Sequence, residues 1–225
     1  MKPVAPGPPP RLKAIVFDLD VVLLDRSRAW ANTLEQAVLL TTGARIDARA
    51  LIAEYVNRPW RHALGVVLAD LSQRDAAEAR CRELFARSAM KHLLVHEGIG
   101  MALDRLRGAR VEMGAISREP HRLALSQIES TGLDRFLTML APTPAGERWH
   151  PEQRVRDCLS YFDRPASVAA FVSADVHELA AVSKAGLEGA FAAWAAPGDP
   201  RDDVVNLGRP KDLARLAGVA SRGDD

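Results

Sequence analysis

The segment KAIVFDLD, residues 13–20, has the pattern of a buried β-strand that ends abruptly in two carboxylates. Its apolar run is rich in β-branched and aromatic side chains, which is typical of a central strand covered on both faces. Open α/β sheets bind their ligands beyond the carboxyl ends of the strands. Asp18 and Asp20 are therefore the first candidate functional residues.

Similar strand patterns recur along the chain and alternate with helical patterns. We expect strands at 110–117, 136–140, 167–173 and 188–194, and helices at 99–108, 119–131, 151–162, 175–186 and 211–218. Prolines at the expected first turns and glycines at the expected ends support these helices. The alternation predicts an α/β fold with a Rossmann-like, mostly parallel sheet and helices on both of its faces.

One interval, residues 26–96, breaks this alternation because it contains helical patterns and no convincing strand. We therefore predict an inserted α-helical cap at 26–96 and a Rossmann-like core formed by residues 12–25 and 97–225. The proline-rich residues 1–11 cannot form the apolar helix of a signal peptide, and we expect them to form a flexible extended tail.

Composition bounds the class of protein. The chain has 225 residues, 48% hydrophobic and 26% charged, which allows a full core. Its net charge of +1 gives no electrostatic reason to expect nucleic acid or an anionic membrane as a partner. Cys81 and Cys158 are far apart in helical patterns, which favours buried free thiols over a disulfide or zinc site. We expect a cytoplasmic protein that is a monomer or a homodimer.

The two acids at the end of the first strand indicate a cation. Asp18 and Asp20 would repel each other unless a cation or a proton lay between them. A divalent ion with oxygen ligands, for which we expect Mg²⁺, would relieve that repulsion and attract a phosphate. Taken alone, however, two acids at a strand end are more often solvated caps. The polar residues at the other strand ends must therefore decide between a functional site and a cap.

Three further strand ends carry polar side chains, each with two interpretations. Ser117 is either a phosphate-binding hydroxyl or a helix N-cap. Arg148, three residues before Pro151, is either a cation for a phosphoryl group or an exposed loop arginine. Asp175 and Glu178 share one helix face, where they either approach a cation or complement the helix dipole.

In this order the four motifs resemble the haloacid dehalogenase superfamily over residues 12–217. The most similar branch includes phosphoglycolate phosphatases and β-phosphoglucomutases, in which a helical cap follows the first motif. The resemblance implies that Asp18 is the nucleophile that forms an aspartyl-phosphate and that Asp20 is the general acid and base. It also implies that Ser117 and Arg148 bind the phosphate. The implied ligands of Mg²⁺ are Asp18, Asp20, Asp175 and Glu178.

The chain departs from the family pattern at three of these motifs. Val21 and Val22 stand where the family usually has Gly-Thr, and Arg148 stands where it usually has lysine. At the fourth motif Gly-Asp becomes Ser173-Ala174, so a methyl group replaces the main metal-binding acid. A dehalogenase is disfavoured, because that branch lacks an acid at the position of Asp20.

Three functions remain open from the sequence. The first is Mg²⁺-dependent hydrolysis of a small phosphorylated metabolite by a phosphatase. The second is a catalytically weak or inactive relative that binds phosphate. The third is a sugar phosphomutase, which would require a bisphosphorylated sugar for activation.

Overall fold

A computed structural model of the chain describes residues 12–56, 58–144, 146–195 and 204–219. The tail expected at residues 1–11 lies outside the described residues. The described strands are β1 (Ala14–Asp18), β2 (Leu24–Asp25), β3 (Leu94–Val95), β4 (Glu112–Ser117), β5 (Met139–Pro142), β6 (Ala169–Ser173), β7 (Glu188–Ala192) and β8 (Val205–Leu207). The described α-helices are α1 (Ser27–Thr42), α2 (Ile52–Tyr55), α3 (Trp60–Val67), α4 (Leu71–Ser88), α5 (Ile99–Gly108), α6 (His121–Thr131), α7 (Pro151–Phe162), α8 (Val176–Lys184) and α9 (Asp212–Leu216).

A six-stranded parallel sheet with the order β5-β4-β1-β6-β7-β8 forms the centre of the molecule. All residues of β1 are buried, because β4 and β6 flank it and helices cover both faces. Ile15 and Phe17 pack into one apolar cluster, whereas Ala14 and Val16 pack into another on the opposite face. This architecture confirms the α/β fold predicted from the sequence.

The helices between Ser27 and His92 have an apolar cluster of their own. Trp30, Leu34, Leu64 and Cys81 are among its buried members. The chain enters and leaves this helical segment through the short antiparallel ribbon of β2 and β3. The helices lie within the range expected for the cap, and its exact boundaries stay a prediction. Along the described part of the chain, no helix has the length and apolarity needed to span a membrane.

Directly after β1 the backbone forms a π-helical turn, Leu19–Leu23, whose residues are all buried. Two backbone carbonyls of this turn are bound by side chains from later in the chain. Nε2 of His96 lies 2.9 Å from the carbonyl oxygen of Val21, and Nε1 of Trp194 donates to that of Val22 at 3.2 Å. The turn is thus fixed where the candidate acids leave the sheet.

Candidate active site

The end of β1 fixes one oxygen of Asp18 and leaves the other without a hydrogen bond. Oδ1 accepts hydrogen bonds from the backbone N–H groups of Asp20 at 2.9 Å and Val21 at 3.3 Å. Oδ2 is buried and accepts no hydrogen bond from the described residues. It faces Nη1 of Arg118 at 3.5 Å. The carboxylate is therefore held in one orientation with a single oxygen available for chemistry.

Asp20 is bound by the neighbouring strand β4. The hydroxyl of Ser117 donates to its Oδ1 at 2.9 Å, and the backbone N–H of Arg118 donates to its Oδ2 at 2.7 Å. Ser117 itself accepts a hydrogen bond from the N–H of Glu119 at 3.0 Å. Helix α6 begins only at His121, after Pro120, so Ser117 orders the turn and holds Asp20 and does not cap the helix.

The guanidinium of Arg118 lies among three carboxylates. Besides Asp18, its Nη2 lies 3.1 Å from Oδ2 of Asp175 and donates a short hydrogen bond to Oε1 of Glu178. The same guanidinium stacks 5.1 Å from the centre of the Trp149 ring. Side chains that follow three neighbouring strands, β1, β4 and β6, therefore meet at one cation.

Glu178 and Asp175 lie at the start of α8, and hydrogen bonds hold each of them in place. Glu178 is buried, and its Oε1 and Oε2 accept hydrogen bonds from Nε1 of Trp149 at 2.7 Å and the hydroxyl of Ser173 at 2.8 Å. Asp175 caps the helix, because its Oδ1 accepts from the N–H of His177 at 2.8 Å while Oδ2 faces Arg118. Asp175 thus caps α8 and also faces a cation, which is the guanidinium of Arg118.

This arrangement has a counterpart among known families. A model of the haloacid dehalogenase-like hydrolases matches residues 15–190, most of the chain. The chain belongs to the haloacid dehalogenase-like hydrolase family. Hydrolases of this family are generally phosphatases and generally use Mg²⁺. The resemblance predicted from the four motifs is confirmed.

Solved structures of this hydrolase family share the fold at low sequence identity. A proposed phosphatase from Clostridium difficile is 15% identical with a TM-score of 0.80, covering 92% of this chain and 99% of that chain. A proposed phosphoglycolate phosphatase from Lactobacillus plantarum is 17% identical with a TM-score of 0.72, and the coverage is 92% and 99%. A proposed β-phosphoglucomutase from Thermotoga maritima is 16% identical with a TM-score of 0.73, again with 92% and 99% coverage. Comparison with curated protein sequences finds no significant match.

Burial raises the pKa of two acids in this site, Asp18 and Glu178. It raises the pKa of Asp18 well above the ordinary value, and the negative charge of Glu178 adds to the effect while Arg118 opposes it. Burial also raises the pKa of Glu178, again against the opposing charge of Arg118. For Arg118, burial favours the neutral form, but Asp18 and Glu178 outweigh it and raise the pKa of the guanidinium. The site therefore holds a permanent cation.

Arg148, the predicted phosphate-binding cation, lies on the surface of the molecule. It is exposed and forms no ion pair or hydrogen bond with the described residues of the site. Its neighbour Trp149 reaches the site in its place, and Arg118 supplies the positive charge. Sequence reasoning missed both residues. The one available signal was that Arg118 directly follows Ser117 at a strand end.

The predicted Mg²⁺ ligands are already bound by protein groups. Both oxygens of Asp20 accept hydrogen bonds from β4 and the residue after it, and Arg118 faces Asp18, Asp175 and Glu178. At position 174 the chain offers only the methyl group of an alanine. Within the described ranges, no group of three or more His, Cys, Asp or Glu side chains is arranged to hold a metal ion. The residues as arranged do not fit Mg²⁺.

Proposed function

We propose that this hydrolase cleaves a small phosphomonoester through an aspartyl-phosphate on Asp18. One observation carries the proposal: two backbone N–H groups hold Oδ1 of Asp18, while Oδ2 is free of hydrogen bonds and faces a guanidinium. A carboxylate fixed in this way presents one oxygen to an incoming phosphorus atom at little further cost in entropy. Membership of a family of phosphatases supports the same reaction class.

The proposed reaction has two steps. Oδ2 of the ionised Asp18 carboxylate attacks phosphorus, the bond from phosphorus to the ester oxygen breaks, and Asp20 gives its proton to the departing oxygen. Water then gives a proton to Asp20 and attacks phosphorus, and the bond to Oδ2 breaks to release inorganic phosphate. The Arg118 guanidinium would bind phosphoryl oxygens in both steps, and the Ser117 hydroxyl would join it by turning its single proton from Asp20 to a phosphoryl oxygen. Arg148 has no role in this scheme.

No step of this scheme uses a metal ion. Mg²⁺ dependence was predicted from the motifs and is general in the family, but the acids that would bind the ion face Arg118. Neutralisation of the phosphoryl charge is therefore assigned to the guanidinium. An assay with Mg²⁺ and an assay with a chelator test the two assignments separately.

The proposed substrate is a small phosphorylated metabolite. Asp18 and Asp20 are only 1% and 2% exposed, whereas the Arg118 side chain above them is 36% exposed. A phosphoryl group on a small molecule can approach beside this guanidinium, but a nucleic acid or membrane surface would not reach the acids. A cytoplasmic location and a monomeric or homodimeric state stay predictions.

Phosphate release from p-nitrophenyl phosphate and from a panel of small phosphomonoesters tests the proposal. We expect turnover by the wild type and a loss of at least about a thousandfold in Asp18→Asn, because the nucleophile is removed. Arg87→Asn, which removes only an exposed ion pair with Glu83, is the matched control and should retain the rate. A wild type no faster than Asp18→Asn in every condition would sink the proposal.

A second candidate, a non-catalytic phosphate-binding relative, is favoured by one observation. The acids of the fourth motif are bound to Arg118, and position 174 lacks its carboxylate. Such a protein would bind inorganic phosphate, raising the melting temperature of the wild type more than that of Ser117→Ala, and would show no turnover. No contact among the described residues favours a phosphomutase.

A further inference from the structure

Arg118 bridges elements that no other side chain of the site connects. It follows β4, yet its guanidinium faces Asp18 at the end of β1 and both Asp175 and Glu178 at the start of α8. These three carboxylates carry like charges and converge from separate parts of the chain. Without a cation between them they would repel one another. The guanidinium thus stands where such a cluster needs positive charge.

The position of this guanidinium is fixed from several sides. The backbone N–H of Arg118 is bound to Asp20 at 2.7 Å, and the buried Ser117 precedes it. The Trp149 ring stacks on the guanidinium, and Nε1 of the same ring donates to Glu178 at 2.7 Å. Arg118 and Trp149 thereby share Oε1 of Glu178 as an acceptor. Arg118 is therefore a preorganised part of the site, because both its backbone and its neighbours hold it in place.

A guanidinium in this position and a divalent ion exclude each other. Mg²⁺ requires about six oxygen ligands at roughly 2.0–2.1 Å in near-octahedral geometry. Here the N–H groups of Arg118 point at the oxygens of Asp175 and Glu178 that would have to turn toward the ion. Two cations among the same oxygens would also repel each other.

The charge balance supports exchange of a metal for an arginine. A guanidinium carries one positive charge fewer than a divalent ion. The alanine at position 174 removes one negative charge relative to the acid that the family usually has there. These two changes offset each other. The positive charge that the family usually has at position 148 is a separate loss, because Arg148 is exposed and does not contact the site.

We propose that Arg118 is the built-in cation of this site and takes the place of a divalent metal ion. Mg²⁺ then neither binds among Asp18, Asp175 and Glu178 nor is needed to hold them together. The consequence for catalysis, metal-independent turnover, rests on the proposed phosphatase function. The consequence for Mg²⁺ binding does not depend on that function.

Titration of Mg²⁺ into the substrate-free protein tests the binding consequence. We expect no calorimetric binding and no rise in melting temperature for the wild type. Arg118→Asn frees the three carboxylates and should bind Mg²⁺ at least about tenfold more tightly, the scale on which groups contacting metal ligands change affinity. Arg87→Asn, which frees the exposed carboxylate of Glu83, should gain nothing. A wild type that binds Mg²⁺ as tightly as Arg118→Asn overturns the inference.

Two further measurements keep the inference falsifiable if Arg118→Asn does not fold. Arg118→Lys preserves the charge and should bind no Mg²⁺. Mn²⁺ added to the wild type should give only the magnetic resonance spectrum of the free hydrated ion. A bound-Mn²⁺ spectrum that is lost in Asp175→Asn would place a metal in this site and overturn the inference.

Failure of the inference and failure of the proposed function give different results. If the wild type hydrolyses phosphomonoesters, we expect a chelator to change the rate by less than about twofold, because Arg118 neutralises the charge of the phosphoryl group. Hydrolysis that requires Mg²⁺ overturns the built-in cation and leaves the phosphatase standing. Absence of both hydrolysis and Mg²⁺ binding overturns the phosphatase and leaves the built-in cation standing.

Discussion

At the scale of single residues, the candidate site combines side chains that the sequence could place with others that it could not. Asp18, Ser117 and Glu178 follow neighbouring parallel strands, so their meeting at one sheet edge follows from the strand pattern. The direction of a long side chain in a loop does not follow from strand alternation. Arg118 turns into the acidic cluster and Arg148 turns outward, and the strand pattern predicts neither direction.

The buried Asp18 should make the stability of the fold depend on pH. Its pKa is raised in the folded state, so the folded protein keeps a proton that the unfolded chain loses above about pH 4. Stability then falls as the pH rises from about 4 through the folded pKa. Asn cannot ionise, so Asp18→Asn should melt above the wild type at neutral pH, by about 2 °C or more.

Thermal melts of both proteins from acidic to neutral pH check this expectation. The difference in melting temperature should shrink as the pH falls to about 4 and below, where Asp18 becomes protonated in the unfolded chain as well as in the folded protein. Because the charge of Glu178 contributes to the raised pKa of Asp18, the difference reports on Asp18 together with its interaction with Glu178. The same difference at every pH would contradict a buried ionisable Asp18.

At the scale of elements, the close approach of β4 and α7 supports one end of the site. Gly114 lies where an added Cβ would be 3.0 Å from Cζ of Phe162 and 3.3 Å from Sγ of Cys158. Overpacking of this kind costs about 1–3 kcal/mol, which is what we expect for Gly114→Ala in urea unfolding. Gly100→Ala in α5 is the control, because nothing lies within 4 Å and the stability should hold or rise.

A fall in stability of the same size for both glycine variants would contradict the packing of α7 on β4. The comparison is sharp because both substitutions add one methyl group. They differ in the space around it.

Long elements were predictable and short ones were not. The helices at 99–108 and 151–162 begin and end as the sequence indicates, because their apolar spacing, Pro151 and Gly108 act locally. Strands of two or three residues, such as β2, β3 and β8, show no alternation. The π-helical turn Leu19–Leu23 is apolar apart from Asp20 and fits a strand equally well. Its hydrogen bonds distinguish it: two backbone N–H groups donate to Asp18, and the N–H of Leu24 donates to the carbonyl of Leu19.

At the scale of the whole molecule, the two cysteines report on separate apolar clusters. Cys81 lies in the cluster of the helices between Ser27 and His92, and Cys158 lies against the sheet. Both are fully buried, and burial raises the pKa of each thiol to about 12. The predicted free, buried thiols are confirmed.

We therefore expect the folded protein to resist a thiol reagent at pH 8, where neither buried group forms a thiolate. Both thiols should react when urea unfolds the chain. Ser130→Cys, at an exposed position of α6, provides a reactive positive control. Rapid labelling of the folded wild type at either cysteine would contradict the packing of that cluster.

The nucleophilic role of Asp18 can be observed directly with Asp20→Asn and p-nitrophenyl phosphate. Nitrophenolate departs without a proton from Asp20, whereas hydrolysis of the acyl phosphate needs Asp20 to activate water. The variant should release a burst of about one nitrophenolate per protein molecule. After an acid quench, the tryptic peptide 14–26 should carry the phosphoryl group on Asp18. A burst with no phosphoryl group on that peptide, or full turnover by Asp18→Asn, would contradict the account.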